Sequence, residues 1–226
     1  SVYFYGLHTF SNTKSLDYVF DGYYSRNDYD RLYNDDNVSF RSLVKEDYYY
    51  IKANANYSMA FSHRNRLTFS LYEFMRISDS EYIGTSAYNQ NLHSSETILF
   101  ADYSQRLGSF FFDINPGLSF LTYRLEGMKP INHLTPRLQA RATYRIDKVQ
   151  QLQFMFALGN TYPRINTINN VEQQIDPIII LKGNPNMDNS ILLNPRLSHT
   201  LNLNKFALLT GVSYFYQNHS IISDYY

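Results

Sequence analysis

The segment 23–37, with the sequence YYSRNDYDRLYNDDN, concentrates side chains that could bind a ligand. Carboxylate and amide oxygens are the ligands that Ca²⁺ prefers in proteins, and tyrosine rings offer flat surfaces on which sugars stack. The spacing lacks the ordered glycine and glutamate of a known calcium-binding loop, so a solvated loop without a ligand is the alternative. The candidate ligand-binding residues of this segment are Tyr24, Asp28, Tyr29, Asp30 and Tyr33.

Three arginines, Arg137, Arg141 and Arg145, recur at every fourth position of another segment. In a strand, residues an even number of positions apart lie on one face, so the three would form a positive stripe. Such a stripe could guide anionic or polar solutes through a pore. It could also form hydrogen bonds to a plug or to opposing strands, and the sequence leaves both interpretations open.

Residues for catalysis or metal binding are not clustered in the sequence. The six histidines occur singly, without the i, i+2 or i, i+4 spacing of a metal site. The chain has no cysteine, which excludes thiol catalysis, thiolate metal sites and disulfides. His93, Ser94 and Ser95 lie together, but loops with serine and histidine are common. We therefore predict no enzyme, no cofactor and no bound metal.

Composition narrows the class of protein. The 226 residues include 20 basic and 20 acidic side chains, so the formal net charge is +0. Proteins that bind nucleic acid are typically basic, and we expect no nucleic-acid partner. The mean hydropathy is −0.40, and no stretch approaches the run of about 18 apolar residues that marks a membrane helix. A membrane β-barrel is compatible with this average, because its strands alternate lipid-facing and lumen-facing residues.

Alternation with a period of two is the dominant pattern of the chain. In residues 48–61, YYYIKANANYSMAF, one parity carries Tyr49, Ile51, Ala53, Ala55, Tyr57, Met59 and Phe61, and the other carries Lys52, Asn54, Asn56 and Ser58. A helix would scatter these apolar residues around its axis, whereas a strand places them on one face. The pattern recurs in segments 66–71, 137–146, 151–158 and 197–204. We expect the apolar parity to face lipid and the polar parity to face a hydrated lumen. The residues expected to face the lumen are Lys52, Asn54, Asn56, Arg137, Arg141 and Arg145.

Short and long breaks between the predicted strands alternate along the chain. The short breaks lie at 11–15, 62–65, 107–108, 147–149 and 204–205. The long irregular stretches lie at 26–46, 77–96, 126–135 and 160–195. This alternation places all short turns at one end of a sheet and all long loops at the other, as in outer-membrane barrels.

The predicted fold is therefore all-β, an antiparallel up-and-down transmembrane β-barrel with ten to eleven strands in this chain, forming one domain over 1–226. The five predicted hairpins are 2–10 with 16–25, 47–61 with 66–76, 97–106 with 109–125, 136–146 with 150–159, and 196–203 with 206–217. The alternative is a soluble antiparallel sandwich or solenoid, which also alternates apolar and polar residues. Strand length argues against this alternative. All the predicted strands are longer than a typical strand, which has about 5–6 residues.

The segment 152–198 resembles the barrel region of TonB-dependent receptors of Bacteroidetes type. The resemblance rests on an ordered set of residues: Tyr162, Pro163, Arg164, Asp176, Pro177, Gly183, Asn184 and Pro185. The sequence departs from the family pattern in lacking the second Arg-Pro pair. Met187 also stands where the family has leucine, and Arg196 stands where it has an acidic residue.

The resemblance implies a function in uptake. The chain would be a segment of a larger barrel of about 22 strands, without the plug domain. Such a receptor imports a nutrient, either a glycan, a peptide or a metal chelate, which long extracellular loops capture. The resemblance implies the outer membrane of a Gram-negative bacterium as the location. The implied partners are outer-membrane lipid, a surface lipoprotein and periplasmic TonB acting through a plug. The alternatives are a small plugless structural, adhesin or scaffold barrel, and an outer-membrane hydrolase of the omptin type.

Overall fold

The chain folds, in the computed structural model, into long antiparallel strands with almost no helix. The structure describes residues 1–35, 38–83, 87–161, 165–168, 170, 172–174 and 179–219. The strands are β1 Val2–Ser11, β2 Lys14–Asp35, β3 Val38–Ser62, β4 Asn65–Ile83, β5 Tyr88–Leu107, β6 Phe110–Leu125, β7 Ile131–Arg145, β8 Gln150–Thr161, β9 Gln173–Gln174, β10 Ile180–Leu181, β11 Ser190–Leu203, β12 Phe206–Ser213 and β13 Tyr216–Gln217. The short helix α1 spans Ile165–Ile168. No helix in the described part of the chain is long and apolar enough to cross a membrane.

Neighbouring strands in the sequence are neighbours in the sheet. The main sheet has 11 strands in the order β1 to β8, then β11 and β12, with β13 also pairing with β11. Every pairing is antiparallel, and β9 and β10 form a separate two-stranded ribbon. In the described residues β1 pairs only with β2 and β12 only with β11. The predicted antiparallel up-and-down sheet is confirmed.

The five predicted short breaks are confirmed as tight connections at one end of the sheet. Gly108 lies in one of them with φ of 59°, a left-handed conformation that glycine adopts without strain. In the β7–β8 connection the backbone amides of Val149 and Gln150 donate to Asp147 Oδ1 at 2.8 and 2.7 Å. These hydrogen bonds hold the pKa of the Asp147 carboxyl below its ordinary value, and the bond from the Val149 amide has the largest effect.

Asp147→Asn is expected to lower stability at neutral pH, because the neutral amide accepts the two backbone hydrogen bonds less strongly than a carboxylate. The folded-state pKa is depressed, so the charge contributes fully above the unfolded-state pKa of about 3.9. That contribution is lost as pH falls through the lower folded-state pKa. Thermal unfolding of the parent and the variant from pH 7 to pH 2 measures this difference. A gap between them that widens towards low pH would contradict the expectation.

The strands extend well beyond the predicted boundaries. The prediction of irregular loops at 26–46 and 77–96 is wrong, because β2 and β3 pair up to Asp35 and Val38, and β4 and β5 pair up to Tyr82 and Tyr88. Similarly, β7 and β11 begin earlier than predicted, so the breaks at 126–135 and 160–195 are shorter. These extensions carry polar residues on both faces, which removes the period-two signal from the sequence. Cross-strand contacts hold them: Arg41–Asp30 at 2.8 Å, Lys45–Glu81 at 3.2 Å, and the stacked rings of Tyr82 and Tyr88 at 4.3 Å.

The two faces of the sheet differ in polarity. Directly opposed residues of antiparallel strands share a face. Ala55, Leu71, Leu99 and Leu118 form one such row across β3 to β6. We call the side that carries this row the apolar face. It carries Leu16, Tyr18, Phe20, Ile51, Ala53, Ala55, Tyr57, Met59, Leu67, Phe69, Leu71, Met75, Ile77, Leu99, Ala101, Tyr103, Ile114, Pro116, Leu118, Phe120, Leu134, Leu138, Ala140, Ala142, Leu152, Phe154, Phe156, Leu158, Leu193, Leu197 and Leu201.

The opposite side, which we call the polar face, carries most of the hydrophilic side chains of the same strands. They include Asp17, Asp21, Lys52, Asn54, Asn56, Thr68, Ser70, Glu96, Asp102, Asn115, Arg137, Gln139, Arg141, Gln153 and Ser198. The apolar face is the exposed one: Phe69 is 48% exposed, Leu99 54% and Leu118 50%. This arrangement reverses that of a soluble sheet, in which the apolar side is covered.

Gly117 on β6 lies so close to β5 that there is no space for a side chain at this position. A Cβ at this position would lie 2.3 Å from the ring of Phe100 and 2.4 Å from the carbonyl oxygen of Leu99. Gly117→Ala is therefore expected to destabilise the sheet by about 1–3 kcal/mol through overpacking. Gly22→Ala is the matched control, since the nearest atom to its Cβ is 3.6 Å away. Denaturant unfolding of both variants checks this, and equal midpoints would contradict it.

Candidate functional site

A buried ion pair connects three adjacent strands on the polar face. Arg137 on β7 donates from Nη2 to Glu96 Oε1 on β5 at 2.6 Å, and the Ser119 hydroxyl on β6 donates to the same oxygen at 2.6 Å. The side chains of Arg137 and Glu96 are 18% and 5% exposed. Arg137 is directly opposed to Gly117, so its side chain reaches diagonally across β6 to Glu96. Its guanidinium also passes close to Gly159, where a Cβ would lie 3.4 Å away.

Several buried polar atoms around this ion pair have no hydrogen-bond partner among the described residues. They are Ser94 Oγ, Asn115 Oδ1, His133 Nε2 and Arg137 Nε. His133 belongs to the same cross-strand row as Glu96, with Leu121 between them, and Ser94 lies in the next row. Buried polar groups in proteins nearly always have partners. The polar face of β5 to β7 therefore carries more buried hydrogen-bonding groups than the described residues satisfy.

Aromatic side chains flank the ion pair on the side of β2 to β4. Phe74 is directly opposed to Glu96, and the Arg76 guanidinium lies over the Phe74 ring at 5.3 Å and the Tyr50 ring at 5.7 Å. Tyr23 packs against Tyr50 with ring centroids 5.1 Å apart. Cations over aromatic rings and neighbouring rings attract one another through the ring quadrupole. These side chains, in two adjacent cross-strand rows, combine flat apolar surfaces with a positive charge.

Described residues between β8 and β11, namely 165–168 and 179–189, contact the polar face beside this site, and we call them the roof. Ile168 of α1 is fully buried against Leu92, Leu121, Tyr123 and Leu125, which project from β5 and β6. We call these five residues the inner cluster. The predicted irregular stretch at 160–195 therefore includes a segment packed on the sheet.

Hydrogen bonds connect the roof to β6 and β7. The Tyr123 hydroxyl donates to the carbonyl oxygen of Met187 at 3.1 Å, and Asn189 Nδ2 donates to Thr135 Oγ1 at 2.5 Å. The two parts of the segment are joined by the backbone bond from Asn184 N to Thr167 O at 2.8 Å.

The ligand-binding candidates of segment 23–37 are not brought together. The prediction of a loop is wrong here, because all five lie on β2, and its two faces separate them. Tyr24, Asp28 and Asp30 share one parity and bond within the sheet: Tyr24 to Asp47 at 2.5 Å, Asp28 to Arg26 at 3.4 Å, and Asp30 to Arg41 at 2.8 Å. Tyr29 and Tyr33 lie on the other parity. Ligand binding by these residues stays a prediction.

The residues predicted to face a lumen share one face of the sheet. Lys52, Asn54 and Asn56 on β3 lie on the same side as Arg137, Arg141 and Arg145 on β7, as the cross-strand rows show. Asn56 donates to Asp17 Oδ1 at 2.8 Å. Arg145 lies near the tight turn at Gly108 and lines a groove there. That this face borders a lumen stays a prediction.

The residues of the predicted family motif are only partly described. Tyr162, Pro163, Arg164, Asp176 and Pro177 lie outside the described residues. Gly183, Asn184 and Pro185 lie in the roof, where Asn184 Oδ1 accepts a hydrogen bond from the Asn186 amide at 3.0 Å.

Sequence reasoning missed Glu96, Ser119, Tyr50, Arg76 and Ile168. For Glu96 a signal existed, because Ser94, Glu96, Asp102 and Ser104 share one parity and Glu96 directly precedes the predicted strand 97–106. Arg76 lies at the end of the predicted strand 66–76, and nothing in the sequence marks its contact with the Tyr50 ring. No periodic signal marks Ile168.

Comparisons with known proteins show similarity at the level of the fold. No protein-family model and no curated protein matches the chain. The ferric preacinetobactin receptor BauA of Acinetobacter baumannii matches with a TM-score of 0.65 at 8% identity, over 93% of this chain and 36% of that one. The alcaligin outer membrane receptor FauA of Bordetella pertussis matches with a TM-score of 0.54 at 12% identity, over 95% of this chain and 42% of that one. The chain thus spans less than half the length of either receptor and shares their fold.

Proposed function

We propose that the chain forms barrel wall in an outer-membrane receptor of a Gram-negative bacterium, which takes up a nutrient ligand. One observation carries this proposal: a continuous, exposed apolar face lies opposite a polar face with a buried ion pair. In water, large contiguous apolar patches mark surfaces that contact a partner or a membrane. Within a bilayer, strands can present such a face because the sheet ladder satisfies their backbone groups. Similarity of fold to two receptors supports the same conclusion.

In this proposal the apolar face contacts outer-membrane lipid and the polar face borders the passage. Ligand enters at the end opposite the tight turns, where β2 to β5 extend. Tyr50, Phe74 and Arg76 offer stacking and positive charge, and Glu96 with Arg137 forms the adjacent charged pair. Energy for transport would come from periplasmic TonB acting through a plug, and a surface lipoprotein would be a further partner. These roles follow from the sequence resemblance to TonB-dependent receptors.

The ligand class is a glycan, a peptide or a metal chelate, and a metal chelate is the first to test. One structural neighbour is a receptor for ferric preacinetobactin. For this reason we choose iron chelates as the first ligands to test. Arg76 on the polar face would attract an anionic chelate, whereas the charge of Arg137 is already paired with that of Glu96.

A second candidate function is a scaffold or adhesin barrel that transports nothing. The inner cluster favours it, because Ile168 and the roof occupy the polar face at the level of the ion pair. A barrel that serves only as a scaffold can keep this roof fixed.

Binding of radiolabelled iron chelates of the hydroxamate and catecholate classes to outer membranes tests the uptake proposal. The parent protein should bind one class, and Arg76→Ala should weaken this binding at least fivefold. Arg124→Ala is the control, because Arg124 lies on the opposite face of β6. Binding that neither variant changes would contradict a ligand path along the polar face. Absence of the protein from the outer-membrane fraction would contradict the barrel itself.

A further inference from the structure

Glu73 on β4 lies within the apolar face. Leu71 and Met75 flank it along the strand, and Ala53 and Thr97 are directly opposed to it on β3 and β5. The Thr97 hydroxyl donates to Glu73 Oε2 at 2.5 Å. In the row of Glu73 and the rows on either side of it, the described strands place no other aspartate, glutamate, lysine or arginine on this face; Lys14 and Arg124 share the face but lie in rows further away.

A carboxylate beside hydrocarbon is unfavourable unless it is paired. Transfer of an unpaired charge into an apolar medium is costly, and charged side chains at such depth are expected to be functional. One hydroxyl satisfies only part of the acceptor capacity of a carboxylate, which can accept about four hydrogen bonds. On this face, the described strands place no lysine or arginine in the cross-strand row of Glu73 or in the rows on either side of it. Among the described residues no cation lies beside Glu73, so its remaining acceptor capacity is open to a group from outside the chain.

An apolar groove begins in the row next to Glu73, on the side of the tight turns. Its volume is about 660 Å³, and its lining includes Leu16, Ala55, Phe69, Leu71, Leu99 and Leu118. Small side chains create it, since Ala55 and Ala101 leave space between larger neighbours. A charged acceptor at one end of an apolar groove is complementary to an amphiphile with a cationic head and a hydrocarbon tail.

We propose that Glu73 and this groove bind one ammonium-headed phospholipid. The ammonium lies at the Glu73 carboxylate, and an acyl chain follows the groove towards the tight-turn end of the sheet. A primary ammonium offers three N–H donors and a positive charge, which match the unused acceptor capacity of Glu73. The proposal rests on the membrane placement of the apolar face proposed above.

The test compares lipids that differ only in the head group. The full chain is inserted into nanodiscs of phosphatidylethanolamine, phosphatidylcholine or phosphatidylglycerol with the same acyl chains, and retained lipid is counted by native mass spectrometry. Phosphatidylcholine keeps the positive charge but has no N–H donor. The parent protein should retain phosphatidylethanolamine at least fivefold over the other two.

Two matched pairs of variants locate the site. Glu73→Gln should abolish the preference, whereas Glu81→Gln, which alters an exposed pair with Lys45, should keep it. Ala55→Phe fills the groove and should lower retention at least threefold, whereas Ala142→Phe on the apolar face of β7 should not.

Each remaining outcome overturns the proposal. Equal retention of the three lipids overturns it, as does retention of phosphatidylethanolamine by Glu73→Gln at the parent level. A dimer that depends on Glu73 and excludes lipid would assign the groove to a second copy. Failure of the parent protein to enter any nanodisc would overturn this inference and the membrane placement together, which separates that result from a loss of head-group preference alone.

Discussion

Glu96→Ala is expected to destabilise the folded chain by about 3–5 kcal/mol, because removing one partner of a buried ion pair leaves an uncompensated charge. Arg137 would keep its charge on the polar face, where its Nε already has no partner among the described residues. The Ser119 hydroxyl would lose its acceptor in the same step. Denaturant unfolding in detergent measures the change.

The control for this prediction is Glu81→Ala. Glu81 forms an exposed pair with Lys45 at 3.2 Å, and exposed pairs contribute about 0–1 kcal/mol. A second variant removes both buried charges together: Glu96→Met with Arg137→Met should recover most of the lost stability, since a packed apolar pair often replaces a buried ion pair at little cost. If Glu96→Ala were as mild as Glu81→Ala, the ion pair would not be a buried one.

Ile168→Ala is the second large effect we expect. Ile168 is 0% exposed, and truncation of a buried isoleucine to alanine typically costs about 2–5 kcal/mol. We expect this loss to release the roof while the sheet persists, because the roof contacts the strands mainly through the inner cluster and a few hydrogen bonds. Hydrogen exchange over residues 179–189 should therefore accelerate by more than tenfold.

Ile180→Ala is the matched control within the same segment. Its side chain is 59% exposed, so truncation should change stability and exchange little. Faster exchange of the roof in Ile168→Ala, together with faster ligand binding, would indicate that the roof limits access to the polar face. Identical exchange in the two variants would show that Ile168 does not anchor the segment.

The sequence predicts this fold well where one face of a strand is apolar and the other polar. Residues 51–59 alternate without exception, and the structure places Lys52, Asn54 and Asn56 on a single face. The signal fails where both faces are polar, as in the ends of β2 and β3 near Asp30 and Arg41. There the backbone ladder and cross-strand pairs maintain the strand, and neither leaves a period in the sequence.

The candidate site is harder to predict than the fold. The parity of Arg137 in the sequence predicts the face on which it lies. It does not predict that the Arg137 side chain reaches across β6 to Glu96. That contact depends on side-chain length and on the small residues Gly117 and Gly159 beneath its path. Ile168 lies in a segment without periodicity, and its burial follows from a tertiary contact that no local pattern specifies.

The central claim is that the apolar face contacts lipid and the polar face does not. The chain contains no tryptophan, so a single introduced tryptophan is a unique fluorescent reporter. Phe69 and Phe74 lie on the same strand, β4, on opposite faces. We would reconstitute Phe69→Trp and Phe74→Trp separately into vesicles whose lipids carry bromine on the acyl chains. We expect strong quenching for Phe69→Trp and little for Phe74→Trp, whereas equal quenching of both, or none for either, would contradict the membrane placement of this sheet.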